Sequence, residues 1–253
     1  KFGYSSSPLL VDGRLFIQVL RNEEPYPWNG ASEGPTDAFL LALDAATGKE
    51  IWKRDRRLGA RGENQDAYSS PIPHRVGRQT QILVAGSDHV TAHEPKTGEE
   101  IWRLGYNPRQ RPMWRLIPSP VPGDGVVYAT HPRGRGSLFA VPDSRAGDVA
   151  WTDLAWEWKP GDGVRPDTPD VCIPLLYQGR LYVLGDATCA LSCLDPKTGR
   201  VIWRAELERG KPYRASPLGA DGKVYCVNEA GIVTVFAAGD EASRRWRICN
   251  AKP

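Results

Sequence analysis

One eleven-residue phrase occurs three times in this chain and ends each time in tryptophan. The copies read ALDAATGKEIW at 42–52, AHEPKTGEEIW at 92–102 and CLDPKTGRVIW at 193–203. Recurrence of this kind marks a supersecondary unit that cannot bury its apolar face alone and stacks on copies of itself. The phrase therefore predicts a repeat architecture.

Each copy lies within a longer unit that opens on a proline, then a turn and a run of β-branched and aromatic residues. Five such units are recognised by their opening prolines, which are Pro8, Pro71, Pro120, Pro174 and Pro217. Inside a unit, four short β-type runs alternate with turn pairs such as Asp-Gly, and no segment keeps a 3.6-residue period. Four strands, repeated, are typical of a β-propeller blade.

The sequence thus predicts an all-β propeller of four-stranded antiparallel blades, with about five blades in a single domain over 1–253. We expect the blades at approximately 4–57, 67–105, 116–159, 170–208 and 213–249. The first unit is lengthened by an insertion at 21–37, which contains the aromatic stretch YPWNG.

Chemistry at each position of the phrase suggests a structural role. An acidic side chain at the third position can accept hydrogen bonds from turn N–H groups, and the glycine can take a positive φ. The turn then aims the tryptophan at the neighbouring blade, where burial of 150–250 Å² contributes on the order of 4–6 kcal/mol as an upper bound. In the third unit, strand parity and length favour Trp156 over Trp151 and Trp158 as the docking residue. The predicted docking residues are Trp52, Trp102, Trp156, Trp203 and Trp246.

The pattern A-x-D-x-x-T-G-x-x-x-W is similar to the tryptophan-docking motif of quinoprotein dehydrogenases. It also resembles the wider PQQ-binding-like (pyrroloquinoline quinone repeat) propeller family, which includes the lipoprotein of the outer-membrane β-barrel assembly machine. Every marked position is matched in the first copy, by Ala42, Asp44, Thr47, Gly48 and Trp52. The resemblance implies that the chain is a fragment of a seven- or eight-bladed ring. It also implies a periplasmic or otherwise extracytoplasmic location, although no signal peptide opens the sequence.

The same resemblance implies an alternative function, that of a PQQ- and calcium-dependent quinoprotein alcohol or sugar dehydrogenase. Such an enzyme needs calcium held by carboxylate and amide oxygens, together with an aspartate base. No two of the five cysteines are adjacent, as they are beside the quinone in some members, and no haem-attachment C-x-x-C-H occurs. We therefore predict no catalytic residue, no metal site and no cofactor, with pyrroloquinoline quinone and calcium as the alternative.

Histidine and cysteine spacing gives no metal or disulfide site. His89 and His93 are four residues apart, which on a strand separates them by about 13 Å, so they cannot share one metal ion. We expect them to be surface or turn residues. Cys189 and Cys193 have the same spacing and are too far apart for a disulfide. We expect the cysteines to be small buried residues.

Propeller geometry predicts where a binding site would lie. The loops that enter the first strands and those that join the second and third strands form one face, whereas the opposite face carries tight turns. Arginine and aromatic residues on such loops favour binding. The candidate binding face comprises Arg21, Trp28, Tyr68, Trp114, Arg115, His131, Arg133, Asp170, Arg214 and Asn228.

These features favour a non-catalytic binding or scaffold module that engages a protein or envelope ligand. A carbohydrate or polyanion binding module is a further alternative, because the candidate face is rich in arginine. The formal net charge of +3 gives no argument for nucleic acid as a partner. No apolar run has the length of a transmembrane helix.

Overall fold

The computed structural model describes residues 5–21, 38–111, 115–132, 137–158, 168–242 and 244–248, the last segment as backbone. Regular structure in these ranges is β-strand, apart from two short 3₁₀ segments at Gly62–Gln65 and Trp151–Asp153. The strands form successive four-stranded antiparallel sheets, so the predicted β-propeller architecture is confirmed. Across the described ranges, no helix has the length and apolar character needed to cross a membrane.

The first three sheets follow chain order. The first consists of β1 (Leu9–Val11), β2 (Arg14–Val19), β3 (Phe39–Asp44) and β4 (Glu50–Asp55). The second consists of β5 (Ile72–Val76), β6 (Gln79–Gly86), β7 (His89–His93) and β8 (Glu100–Gly105). The third consists of β9 (Val121–Pro122), β10 (Val126–Thr130), β11 (Leu138–Pro142) and β13 (Trp156–Trp158), and the short β12 (Gly147–Asp148) leaves it to pair in parallel with β8.

Two further sheets complete the described chain. The fourth consists of β14 (Leu175–Tyr177), β15 (Arg180–Gly185), β16 (Ala190–Leu194) and β17 (Val201–Glu206). The fifth consists of β18 (Leu218–Ala220), β19 (Lys223–Val227), β20 (Val233–Ala237) and β21 (Arg244–Ile248).

The chain divides into two compact units. The first unit comprises Lys1–Val127 with Pro142–Asp153, and the second comprises Tyr128–Val141 with Leu154–Pro253. In the first unit, Phe16, Leu40 and Trp52 of the first sheet form a core with Ile82 and Val84 of the second. In the second unit, a core of Tyr182, Leu191 and Trp203 continues into Val224 and Phe236 of the fifth sheet. Each core thus lies between consecutive blades, because a sheet buries its face only against its neighbour.

Cross-strand pairing explains the small residue that opens the phrase. In every sheet the tryptophan of the last strand faces a small or β-branched residue of the third strand. The pairs are Trp52 with Ala42, Trp102 with Ala92, Trp156 with Ala140, Trp203 with Cys193 and Trp246 with Val235. A small residue leaves room for an indole on the same face of the sheet.

A β-bulge follows directly after this pair. In the first sheet Leu43 pairs with Glu50 rather than with Ile51, so one residue of β4 has no partner across the ladder. The same shift occurs after Ala92, Cys193 and Val235. The bulge places Ile51 on the surface, where its side chain is 42% exposed.

The turn within the phrase has the predicted chemistry. The Asp44 carboxylate accepts from the N–H groups of Ala46 and Thr47 at 3.2 and 2.8 Å, and the Gly48 N–H donates to the Asp44 carbonyl at 2.8 Å. Glu94 and Asp195 accept the corresponding bonds in the other copies. The prediction of acidic acceptors is confirmed, and so is that of a left-handed glycine, with φ of 71°, 73° and 70° for Gly48, Gly98 and Gly199.

Burial corrects two expectations from the sequence. His93 is buried, so the expectation that it is a surface or turn residue is wrong, and His74 is buried as well. Cys172, Cys193 and Cys226 are free and buried as expected, whereas Cys189 is only half-buried. His93 is buried because side chains alternate along β7, so that Thr91 and His93 lie on the face that the first blade covers.

Candidate functional site

In the first unit, the phrase tryptophans make two different kinds of contact. The Trp52 indole Nε1 donates a 3.1 Å hydrogen bond to the carbonyl of Pro95 in the turn of the second blade. Trp102 is fully buried, but its Nε1 donates to Oε1 of Gln81 in its own blade at 3.3 Å. Trp102 differs because the third blade has a degenerate phrase. Its short strand β12, and not a phrase turn, lies beside Trp102 and Arg103.

In the second unit, two tryptophans reach a turn carbonyl of the following blade. Trp156 Nε1 donates to the Pro196 carbonyl at 2.9 Å, and the Tyr128 hydroxyl donates to the same oxygen at 3.0 Å. Trp203 Nε1 donates to the Gly239 carbonyl at 2.9 Å and stacks on Phe236 with ring centroids 5.7 Å apart. The side chain of Trp246 lies outside the described residues.

The degenerate third phrase has a substitute contact. Asp143 holds the position of the turn carboxylate, but its Oδ2 lies 2.8 Å from Nε2 of His74 on β5. Both side chains are buried. The buried pair therefore joins the second and third blades within the first unit, where the acidic residue no longer caps its own turn.

Three residues of the candidate binding face lie in the described part of the first unit. Tyr68 and Arg115 are brought together, because the Tyr68 N–H donates to the Leu116 carbonyl at 2.9 Å. Arg115 forms an ion pair with the buried Glu63, with Nε and Oε1 3.4 Å apart. Burial raises the pKa of Tyr68 to about 12, so its hydroxyl keeps its proton. Arg21, the third residue, follows β2 and is half-buried.

In the second unit, the candidate residues are largely used by their own loops. The backbone N–H of Asp170 donates to the Asp186 carboxylate at 3.0 Å. The Asn228 side-chain oxygen accepts from the N–H groups of Ala230 and Ile232, both at 3.0 Å. Asn228 is therefore a turn former that is buried rather than a presented ligand group.

The His131 ring contacts residues of its own segment, whereas the Arg214 side chain is exposed. The His131 Nδ1 accepts from the Ser137 N–H at 2.9 Å, and its ring packs edge-on against Phe139. The exposed Arg214 lies 3.6 Å from the Glu229 carboxylate, Nε to Oε1. The remaining candidates, Trp28, Trp114 and Arg133, lie outside the described residues.

A buried carboxylate lies at the turn between β6 and β7. Asp88 accepts hydrogen bonds from the side-chain amides of Asn107 and Asn64, at 3.1 and 3.3 Å. Both amides also donate to the Arg111 carbonyl, at 3.0 and 2.7 Å. Burial raises the pKa of Asp88 to about 6, although the two amide donors oppose the shift. This cluster ties the β4–β5 loop to the segment after β8.

An arginine-lined cavity lies beside this cluster and was missed by the sequence analysis. Its volume is about 330 Å³, and its walls are the β4–β5 loop, the β6–β7 turn and the start of β3. The lining residues are Ala38, Arg56, Arg57, Leu58, Gly59, Ala60, Arg61, Gln65 and Ser87. The sequence feature that could have predicted this cavity is the stretch RDRRLGAR at 54–61, which places four arginines at the end of β4 and just after it.

Comparison with known proteins identifies the family. The family model described as "Outer membrane protein assembly factor BamB" matches this chain over residues 3–158 and again over 143–252. The chain belongs to this family. Membership agrees with the resemblance found in the phrase and with the repeated four-stranded blades.

Two relatives that are similar to this chain are named for different functions. The outer membrane protein assembly factor BamB of Legionella pneumophila strain Paris is 24% identical over 233 residues, or 90% of this chain and 50% of that protein. The quinoprotein alcohol dehydrogenase PedH of Pseudomonas putida strain KT2440 is 25% identical over 179 residues, or 56% of this chain and 29% of that protein. The chain therefore spans half or less of the length of these relatives.

A solved structure shows the same fold. BamB from Moraxella catarrhalis superposes with a TM-score of 0.56 at 17% identity, covering 83% of this chain and 55% of that one. At this identity the likeness speaks for the fold alone.

The quinoprotein relative raises the question of whether the described residues fit a calcium-bound quinone. Among them, no three His, Cys, Asp or Glu side chains converge as a metal-binding group. The buried Asp88 carboxylate receives N–H donors from Asn64 and Asn107, whereas a calcium ion needs amide oxygens turned toward it. The Asp88 cluster is therefore arranged for hydrogen bonding and does not fit a cation.

Proposed function

We propose that this chain belongs to a non-catalytic scaffold propeller that binds a protein partner during outer-membrane protein assembly. The observation that carries the proposal is the family match, which extends over nearly the whole chain. The relative from Legionella, matched over 90% of this chain, is named as an assembly factor. The protein then acts outside the cytoplasm, at the cell envelope.

The loop face is the proposed contact surface. In the first unit its connections carry the ion pair of Arg115 with Glu63, and in the second unit they carry the exposed Arg214. The connections at the other end of the sheets are short glycine turns. Charged groups held in position at a rim steer association with a partner of complementary charge. The ion pairs therefore hold polar side chains of these loops in position at the surface.

Site-specific photo-crosslinking tests this proposal. A photoreactive amino acid is placed in the full-length protein at Arg21, Tyr68 and Arg214 on the loop face, and at Ala46 and Lys197 on exposed turns of the opposite face. We expect crosslinks to one common set of envelope proteins from the loop positions alone. Equal crosslinking from both sides, or none from the loop side, would contradict it.

A quinoprotein alcohol dehydrogenase is the second candidate, because PedH is 25% identical over 179 residues. Reconstitution of the protein with pyrroloquinoline quinone and calcium, followed by a dye-linked assay with short alcohols, separates the two functions. Turnover above that of a no-quinone control would favour the dehydrogenase and count against the scaffold.

A further inference from the structure

The second and fourth blades each receive the tryptophan of the preceding blade on one face, which we call the incoming face. The opposite face, which carries the blade's own tryptophan, is called the outgoing face. On the second blade the ring of Trp52 lies directly against Gly98, 2.7 Å from the position of a Cβ. On the fourth blade the ring of Trp156 lies against Gly199 in the same way. An indole packed on the phrase glycine therefore marks an incoming face that is covered.

The first blade has the same groups on its incoming face, but no described residue packs on its phrase glycine. A Cβ built on Gly48 would meet no described atom within 4 Å, and Gly48 is exposed whereas Gly98 and Gly199 are buried. The same turn offers the carbonyl of Ala45, at the position from which the Pro95 carbonyl accepts the indole hydrogen bond in the second blade. Ala45 is exposed, whereas Pro95 is buried. The first blade thus has a receiving site for an indole.

Apolar side chains surround this receiving site and are accessible where other blades bury theirs. Leu15 and Ile17 flank Phe16, the partner of Ala42 across the sheet, and both are half-buried. The corresponding residues of the second and fourth blades are fully buried, namely Ile82, Val84, Leu181 and Val183. Leu10, paired with Leu15 across the hairpin, is 63% exposed. The incoming face of the first blade consists of Leu10, Leu15, Ile17, Leu41 and Leu43.

The fifth blade presents the complementary surface, its outgoing face. Tyr225 is paired with Leu218 on one side and with Val235 on the other, and Val235 is paired with Trp246. The same row of the fourth blade packs in the core that it shares with the fifth blade, and it consists of Leu175, Tyr182, Cys193 and Trp203. Leu218 is 63% exposed and Tyr225 is half-buried, whereas Tyr182 is fully buried. The row that is covered in the fourth blade is therefore accessible in the fifth.

A hydrogen bond at the opening proline gives a second pair of complementary groups. The Ser7 N–H donates to Oγ of Ser70 at 2.9 Å, and the Ser70 N–H donates to Oγ of Ser119 at 2.9 Å. Each bond joins the residue before the proline of one blade to the same position of the next blade. The fourth and fifth blades repeat it, from the Ile173 N–H to Oγ of Ser216 at 2.9 Å. Oγ of the exposed Ser7 and the N–H of the exposed Ser216 are the groups with which this series would continue.

We propose that the incoming face of the first blade binds the outgoing face of the fifth blade of a second copy of this chain. Trp246 of that copy then packs on Gly48 and donates its indole N–H to the Ala45 carbonyl. Leu10 and Leu218 become buried, and removal of this apolar surface from water drives the association. A second copy fits because its fifth blade carries the same row of side chains that successive blades of this chain already bury against each other.

The two faces differ, so the association is head to tail. Each copy that uses one face keeps the other free, and such contacts give a closed ring or an open chain of copies. The contact does not depend on the scaffold role proposed above, because it joins blades to blades and leaves the loop face accessible.

Sedimentation velocity tests the contact. The full chain is measured over about a hundredfold range of concentration, and we expect assemblies larger than a dimer whose share rises with concentration. Leu10→Asp places a charge in the incoming face, and Leu218→Asp places one in the outgoing face. Each variant alone should associate about a hundredfold more weakly than the wild type, because the contact would bury an unpaired carboxylate.

A mixture of the two variants distinguishes this contact from non-specific association. Leu10→Asp keeps the outgoing face and Leu218→Asp keeps the incoming face, so the equimolar mixture should form a dimer and nothing larger. Trp151→Asp is the matched control, because it places the same charge at an exposed apolar residue outside both faces. It should associate as the wild type does.

The proposal is overturned if the wild type is monomeric throughout the range, or if either variant associates as the wild type does. It is also overturned if the mixture stays monomeric, or if Trp151→Asp loses association to the same extent. Leu10 and Leu218 are exposed, so their replacement should leave Tm unchanged. Should an aspartate variant fail to fold, Leu10→Ser and Leu218→Ser take its place, and association of these equal to that of the wild type would reject the contact.

Discussion

The Trp52 indole occupies the space that a side chain at Gly98 would need. A Cβ built on Gly98 would lie 2.7 Å from Cε3 of Trp52 and 2.8 Å from Cδ2, closer than real Cβ contacts. The glycine of the phrase therefore has two functions. It takes the positive φ of its own turn, and it admits the tryptophan of the preceding blade.

Replacement of the phrase glycines should separate these two functions. Gly98→Ala has to adopt φ near 73° and also displaces Trp52, so we expect a loss of roughly 2–4 kcal/mol in the free energy of unfolding. Gly48 has the same φ but no described atom within 4 Å of its Cβ, so Gly48→Ala should cost only about 1 kcal/mol. Urea denaturation of both variants measures the difference, and equal losses would contradict the close-approach account.

Truncation of a docking tryptophan should be far more costly than truncation of an exposed one. Trp52→Ala removes a buried side chain from the core of the first unit and should lower the free energy of unfolding by about 3–5 kcal/mol. Trp151, 37% exposed, is the control, and its replacement by alanine should cost less than about 1 kcal/mol. Chemical denaturation is the measurement, and similar losses for the two variants would mean that Trp52 is no anchor.

The buried His93 should make stability fall as the solution becomes acidic. Burial lowers the pKa of His93 to about 3, whereas the unfolded chain has a histidine near 6.5, so below pH 6.5 the unfolded state binds the proton more readily. This contribution is complete above pH 6.5 and is lost as pH falls toward 3. Between pH 7 and pH 5 the loss amounts to about 2 kcal/mol.

A second group acts in the opposite direction and sets the design of the measurement. Asp88, with its pKa raised to about 6, makes the folded state bind a proton first and therefore adds stability as pH falls from 6 toward 4. Comparison of the wild type with His93→Gln at pH 7, 6 and 5 removes this shared effect. We expect the wild type to lose about 2 kcal/mol more than the variant, and parallel pH profiles would contradict the assignment.

The His74–Asp143 pair should show strong coupling in a double-mutant cycle. Its two groups are buried and 2.8 Å apart, so removing either leaves the other without its partner. We expect a coupling energy of about 1–3 kcal/mol from His74→Gln, Asp143→Asn and the double variant. Arg209 with Glu206, both exposed, is the control pair and should show no measurable coupling. A coupling near zero for the buried pair would mean that it does not join the blades.

Sequence alone was sufficient for the local features of the blades. The acceptors Asp44, Glu94 and Asp195 and the left-handed glycines follow from turn chemistry, which acts over a few residues and is visible in the phrase. The Asp-Gly hairpin signals are confirmed too, since Asp12 with Gly13 and Asp221 with Gly222 all have positive φ. Short β-type runs between turn pairs predict the strands.

The candidate face could be placed only in part. Topology put Tyr68 and Arg115 on neighbouring connections, and the structure does bring them together. Asn228 was expected to face a ligand, but its oxygen is taken up by two backbone N–H groups of its own turn. Which loop residues are free for binding depends on hydrogen bonds whose partners the sequence does not identify.

The amino-acid sequence by itself determined the repeated four-stranded unit, its turns and the tryptophans at its edge, because these depend on periodicity and on interactions between residues close along the chain. Tertiary structure decided which partner each tryptophan meets, why Asp143 turns to His74, and that Arg56 is enclosed beside a basic cavity. These contacts join residues of different strands or blades. Their formation depends on how neighbouring sheets pack, since only packing determines which polar groups lose water and which charges come close.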